Sequence, residues 1–176
     1  MLLRKDNISL RSPDLQDLDF LFEIENNTEL WKLSNTISPF SRFDLEQYIL
    51  QADKDIYAIK QLRFIVELNN ENVIGILDIF DFEPQHRRAG VGIIILEKFQ
   101  NKGFASTVLE ILWEYSTKKL NLHQLFCNIE STNHKSLKLF ENNGYKRVGI
   151  KKDWNCIDGN WSDELLLQKI LKNKSV

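Results

Sequence analysis

The spacing of apolar and polar positions changes period several times along the chain, and each change marks an element. Ile8-Ser9-Leu10-Arg11 alternates as a strand, and Ser12-Pro13 leads into Leu15 to Ile24, whose apolar spacing predicts a helix. The stretch from Trp31 to Phe40 has no clear period. Ser41 is placed to cap a second helix with Phe43, Leu45, Tyr48, Ile49 and Ala52 on its apolar side. A three-strand meander is expected next. Arg63 to Leu68 and Val73 to Phe80 flank a turn at Asn69 to Asn72, and Glu83-Pro84-Gln85-His86 reverses the chain into Arg88 to Leu96.

Downstream, Val108, Leu109, Ile111, Leu112 and Tyr115 define the apolar face of a long helix, with Lys118 and Lys119 near its negative end. Leu125 to Glu130 reads as a strand, and Asn133 to Tyr145 as a capped helix that ends on Gly144. Arg147 to Ile157 and Trp161 to Ile170 flank Asp158-Gly159, a strong hairpin-turn dipeptide, and residues 172–176 read as a short frayed tail. No repeat or linker interrupts this series, so one domain over residues 1–176 is expected.

Within that order, the run Ile93 to Ala105 joins an aliphatic strand to a helix through a short polar loop containing Gly103. The first amides of a helix lack intrahelical partners and sit at the positive end of its dipole, so a loop that exposes them attracts an anion. Gly103 allows close approach to phosphate oxygens, and Ala105 keeps the first turn slim. Taken alone, the loop also fits an ordinary strand-to-helix connection.

The order Gln100-x-x-Gly103-x-Ala105 after a strand, followed by a strand, an Asn133-headed helix and Gly144-Tyr145, resembles the GNAT superfamily of N-acetyltransferases. The resemblance covers nearly the whole chain, most specifically Arg87 to Tyr145. It implies an α/β (α+β) fold in which flanking helices pack on a mixed, mostly antiparallel central sheet, with a splayed acetyl-CoA cleft. It also implies acetyl-CoA as cosubstrate. The pyrophosphate would lie over Gln100, Asn101, Lys102, Gly103, Phe104 and Ala105 and the pantetheine along the backbone of Ile93, Ile94 and Ile95, with Asn133 and Ser136 near the arm. Ile93 to Ile95 also read as core aliphatics, Asn133 as a simple N-cap, and Lys102 as a solvated loop lysine.

Proton handling departs from the family pattern. Many relatives carry Ala-Glu-x-Gly ahead of the loop, whereas this chain has Ala89-Gly90-Val91-Gly92, and Phe140 stands where many have a tyrosine. The nearest acids are Asp78 and Asp81, which regular alternation would set on opposite faces unless a bulge intervenes. Asp81, nearer the strand end, is the candidate base, with an ion pair to Arg87 or Arg88 as its other reading. Asn133-x-x-Ser136 resembles the ribosomal-protein N-acetyltransferase branch and makes Ser136 the candidate proton donor, although its hydroxyl equally suits a bond to the helix backbone or to CoA. His86-Arg87-Arg88-Ala89 and Asn155 to Gly159 resemble the spermidine and diamine branch. The acid-rich patch of that branch is replaced here by residues 32–40, beginning with Lys32.

Composition narrows the partners. A formal net charge of −2 and a pI near 6.0 give no reason to expect nucleic acid, and no apolar run approaches the ~18 residues of a membrane span. Cys127 and Cys156 lack the spacing of a metal site and read as buried thiols of a reduced, cytoplasmic protein. No metal is expected. Two functions fit: an N-acetyltransferase acting on a small amine, a polyamine or a protein N-terminus, or a CoA-binding module of the same fold without catalysis. A homo-oligomer is compatible with either.

Overall fold

The computed structural model describes residues 3–34, 36–51 and 55–171. Ala52 and the 172–176 tail lie outside the described residues. The chain divides into two compact units, one holding the stretch up to Arg11 and everything from Ile56, the other Ser12–Asp55.

The smaller unit is helical. A turn of 3-10 helix at Leu15–Asp17 runs into α1 (Leu18–Glu25), followed by α2 (Thr28–Ser34) and α3 (Arg42–Leu50). Ser41 caps α3 as expected, in a reciprocal box with Asp44, and Leu45 and Ile49 are its buried pair one turn apart. Phe43 is 66% exposed, because it lies two residues off that stripe. The helix α2 starts at Thr28 and runs into the stretch from Trp31 to Phe40 that has no clear period. Trp31 Nε1 on α2 donates to the carbonyl of Glu25, the last residue of α1, at 2.7 Å.

The larger unit is built on strands β1 (Arg4–Lys5), β2 (Ile8–Arg11), β3 (Leu62–Leu68), β4 (Asn72–Glu83), β5 (Arg88–Ile95), β6 (Gln124–Glu130), β7 (Lys146–Ile157) and β8 (Asn160–Ile170). Its helices are α4 (Ile56–Ile59), α5 (Phe104–Lys118) and α6 (His134–Asn142). The described strands form one eight-stranded sheet in the order β1-β2-β3-β4-β5-β6-β8-β7. Neighbours are antiparallel except β5 and β6, which are parallel. The mixed, mostly antiparallel sheet with flanking helices is therefore as expected.

Val108, Leu109, Ile111 and Leu112 of α5 join Leu77, Ile79, Ala89, Val91, Leu125 and Leu167 of the strands in one apolar core. At the far edge, Asp158 and Gly159 adopt φ of 50° and 79°, the doubly left-handed turn that Asp-Gly favours between β7 and β8. Cys127 is buried, but Cys156 on the edge strand β7 is exposed, which corrects the reading of both as buried thiols. Trp154, two residues before Cys156, and Trp161, paired with it on β8, are themselves 57% and 63% exposed. Among the described residues, no helix is long and apolar enough to cross a membrane.

Candidate active site

The site begins where a strand pair comes apart. β5 and β6 are in register only at Arg88 with Gln124, Ala89 with Leu125 and Gly90 with Phe126, and beyond these they diverge. Along its other edge β5 stays paired with β4 as far as Ile95. The Leu96 amide donates to Ile74 on β4 at 2.9 Å, so by alternation the backbone groups of Ile93 and Ile95, past the last parallel pair, point toward the gap. Ile95 is buried in the core and Ile93 packs half-buried against it, while Ile94, on the opposite face, is half-buried.

The loop that follows is braced from within. Gln100 donates from Nε2 to the Ile95 carbonyl at 2.8 Å, and Lys102 Nζ donates to the Lys98 carbonyl at 3.0 Å while lying over the Phe99 ring. Asn101 and Gly103 both have positive φ, 58° and 83°. Gly103 occupies the N-cap of α5 without any side-chain cap, and nothing lies within 4 Å of where its Cβ would be. The Phe104 and Ala105 amides, at the first turn of α5, have no partner among the described residues. Free amides beside the open space at Gly103 suit a pyrophosphate. Acetyl-CoA thus fits the residues present.

Across the gap, Asn133 is the N-cap of α6, its Oδ1 accepting from the Ser136 amide at 3.1 Å. The N-cap reading is realised, and the Asn133 amide group keeps its donors free of any partner among the described residues. Ser136 is half-buried and its hydroxyl makes no hydrogen bond among them. Asn143 Nδ2 donates to Ser106 Oγ at 3.1 Å and ties the end of α6 to the first turn of α5. Sequence reasoning missed this brace, since nothing in the spacing brings Asn143 to Ser106.

The two acids separate clearly. Asp78 accepts from Arg63 Nε at 2.6 Å and from Nη2 at 2.9 Å, a bidentate cross-strand pair. Asp81 sits in a bulge between Phe80 and Glu83, with φ of 47°, exposed and without a partner among the described residues. Its alternative reading, a bridge to Arg87 or Arg88, does not form. Arg88 pairs with Glu83 at 3.0 Å, and Arg87 donates to the Asn121 carbonyl at 2.6 Å.

Phe140 is buried and meets Tyr145 edge to face at 4.9 Å, so this position belongs to the core. Burial raises the Tyr145 phenol and pushes the Cys127 thiol up to about 12, leaving both protonated at neutral pH. The departure at Gly90 also has a physical reason. A Cβ there would lie 2.3 Å from Phe80 Cε2, so the ring takes the space that a side chain on β5 would need.

Comparison with known proteins bears on this cleft. The acetyltransferase (GNAT) domain family matches residues 7–146. A spermidine N(1)-acetyltransferase of Vibrio cholerae is 31% identical over 157 residues, covering 89% of this chain and 88% of the relative. The ribosomal protein uS5 alanine N-acetyltransferase of Escherichia coli is 30% identical over 76 residues, 43% of this chain and 39% of that one. Among solved structures, spermidine N-acetyltransferase from Vibrio cholerae in complex with CoA and spermine superposes with a TM-score of 0.85 at 27% identity, covering 95% of this chain and 97% of that one. The same enzyme has been solved as a dodecamer and superposes with a TM-score of 0.78 at 27% identity, covering 95% of each chain. With its diverging parallel strands, its open anion loop and these relatives, the chain belongs to the GNAT acetyltransferase family and is an acetyl-CoA-dependent N-acetyltransferase.

Proposed function

We propose that residues 1–176 act as one N-acetyltransferase domain that acetylates the primary amine of a small molecule, with the cosubstrate held along Ile93 to Ile95 and over Gln100 to Ala105. The observation that carries this reading is the separation of β5 from β6 after Gly90 and Phe126, which opens main-chain groups between the amino ends of α5 and α6.

When bound, acetyl-CoA supplies an activated acyl carbon. The chain's own part is largely electrostatic. Amides of β5 that face the gap are fixed donors for a carbonyl oxygen that gains charge, and they need no reorganisation to act. Phe104 and Ala105 offer amides to phosphate oxygens, with Asn101, Lys102 and Gly103 shaping the approach. Asn133, whose side-chain donors are free, holds the arm from the other side. Ser136 Oγ, which makes no hydrogen bond among the described residues, would pass a proton to the departing thiolate and regain one from solvent. Asp81 is the side chain available to accept the amine's proton, directly or through water. Asp78 is committed to Arg63.

The small amine is the leading acceptor because the relatives that match most of the chain carry spermidine in their names. A protein amino terminus is the second acceptor class, supported by the shorter match to the ribosomal-protein enzyme and by Ser136 one turn past Asn133. The free thiols favour a reducing compartment such as the cytoplasm, and the dodecameric relative supports a homo-oligomer. Isotopically labelled acetyl-CoA turned over against a panel of amines and peptides, with products read by mass spectrometry, tests the proposal. Labelled small amine is the expected product. CoA binding without any acetylated product would overturn it.

A further inference from the structure

Phe80, Gly90 and Phe126 form one row across the sheet at the point where β5 and β6 part. Phe80 is registered opposite Gly90, and Gly90 opposite Phe126 in the last parallel pair. The two rings meet edge to face, 6.2 Å between centroids at 84°, and both side chains are half-buried. Gly90 makes this possible, because a Cβ there would come within 2.7 Å of three atoms of the Phe80 ring. In the next row Asp78 faces Gly92, and its carboxylate is neutralised by Arg63.

Residues two apart on a strand share a face, so Asp78, Phe80, Gly90, Gly92 and Phe126 lie on one side of the sheet. The other side carries Leu77, Ile79, Ala89 and Val91 into the core with α5. An amine bound on this side at the apex of the gap would meet two aromatic rings, with Asp81, unpaired among the described residues, next to Phe80 in the chain. A polyammonium chain needs several unmatched carboxylates along its length, since each desolvated cation without one is costly. Aromatic faces instead favour an apolar body and attract a single ammonium through the ring quadrupole.

We infer that Phe80 is a specificity-determining residue and that the acceptor is a monoamine with an aryl or branched-alkyl body, not a polyamine. This rests on the N-acetyltransferase reading above and narrows its substrate class. It also explains why the glutamate of the family pattern is absent: the ring and a β5 side chain compete for one space.

The test compares the parent, Phe80→Ala, Phe80→Leu, Gly90→Glu and the double variant Phe80→Ala/Gly90→Glu on phenethylamine, 3-methylbutylamine, spermidine and spermine. Calorimetric CoA affinity and thermal melting serve as controls for cofactor site and fold. The parent is expected to favour phenethylamine over spermidine by roughly tenfold or more in kcat/KM, the scale of one apolar side chain's transfer energy. Phe80→Ala should raise KM for the two apolar amines about tenfold with CoA affinity within about twofold, and Phe80→Leu should retain most of the preference. Gly90→Glu alone should melt earlier than the parent, and Phe80→Ala should rescue it, a coupling expected only of groups that share space. A parent that prefers spermidine, or a Phe80→Ala variant that slows all four amines equally, overturns this inference while leaving the acetyltransferase reading intact. A parent that acetylates no amine overturns both.

Discussion

Two glycines, Gly103 and Gly90, stand at opposite ends of the cleft and leave room for different things. At Gly103 the backbone is left-handed, φ is 83° and nothing lies within 4 Å of a Cβ, so the vacant space faces outward beside free helix amides. At Gly90 a Cβ would collide with the protein's own Phe80 ring at 2.3 Å. On the proposed reading, the cofactor end is made of main chain, with open space beside it, and the acceptor end of side chains, with the space over Gly90 filled by Phe80. Recognition by main chain survives side-chain drift, whereas proton transfer and acceptor choice depend on particular side chains, and at Gly90 and Phe140 those differ from the family pattern.

The comparison can be broken most strongly at Ser136. If its hydroxyl protonates the thiolate, Ser136→Ala should slow the chemical step by roughly a hundredfold in single-turnover kinetics, with acetyl-CoA affinity within about twofold. A full single-turnover rate would remove serine from the chemistry, and a loss of affinity alone would make it a binding residue.

The glycines themselves give the next contrast. Gly103→Val should weaken acetyl-CoA binding by about ten- to a hundredfold in calorimetry, because a branched side chain enters the anion's space. Gly90→Ala should do the reverse, costing about 1–3 kcal/mol of folding stability through overpacking against Phe80 while CoA affinity holds. Equal behaviour of the two variants would dissolve the distinction.

A smaller effect separates the acids. Asp81→Asn should lower turnover a few-fold, most at acidic pH where deprotonation of the amine limits the rate, and change stability by less than ~0.5 kcal/mol. Asp78→Asn should cost roughly 1–2 kcal/mol by breaking the bidentate pair with Arg63. An unchanged pH profile for Asp81→Asn would leave water as the proton acceptor.

The smallest effects concern the thiols. A thiol reagent should modify Cys156 in the native protein and Cys127 only after unfolding. Because the folded Cys127 thiol ionises near 12 and the unfolded one near 9.0, its contribution to stability is fully present below pH 9.0 and is lost as pH rises toward 12. A Cys127→Ala variant should lose less stability over that interval in alkaline denaturation.

Much of this was legible in the sequence, and the residues show why. The strand-loop-helix around Gly103, the caps at Ser41 and Asn133 and the Asp158-Gly159 turn are local features whose backbone demands choose their own residues. The helix α2 was not legible, as its seven residues are too short for a repeating apolar period, and the bond from Trp31 to the Glu25 carbonyl is a tertiary contact. Exposure of Cys156 was missed because alternation alone does not reveal which strand ends up at a sheet edge. The absence of the β5 glutamate was visible at Gly90, but its cause lies ten residues away in sequence at Phe80. Two glycines spaced by one residue within a strand were the available sign of a close neighbour. The bulge at Asp81 likewise depends on pairing with β5, and so on contacts no local pattern carries.

Amide hydrogen exchange with and without acetyl-CoA tests the central claim most directly, because the cofactor end is held to be main chain. The cosubstrate should slow exchange at Phe104 and Ala105 and at Ile93 and Ile95, with little change along β7 and β8. Protection confined to other segments, or none at Phe104 and Ala105 under saturating acetyl-CoA, would contradict the placement of the cofactor in the gap between β5 and β6.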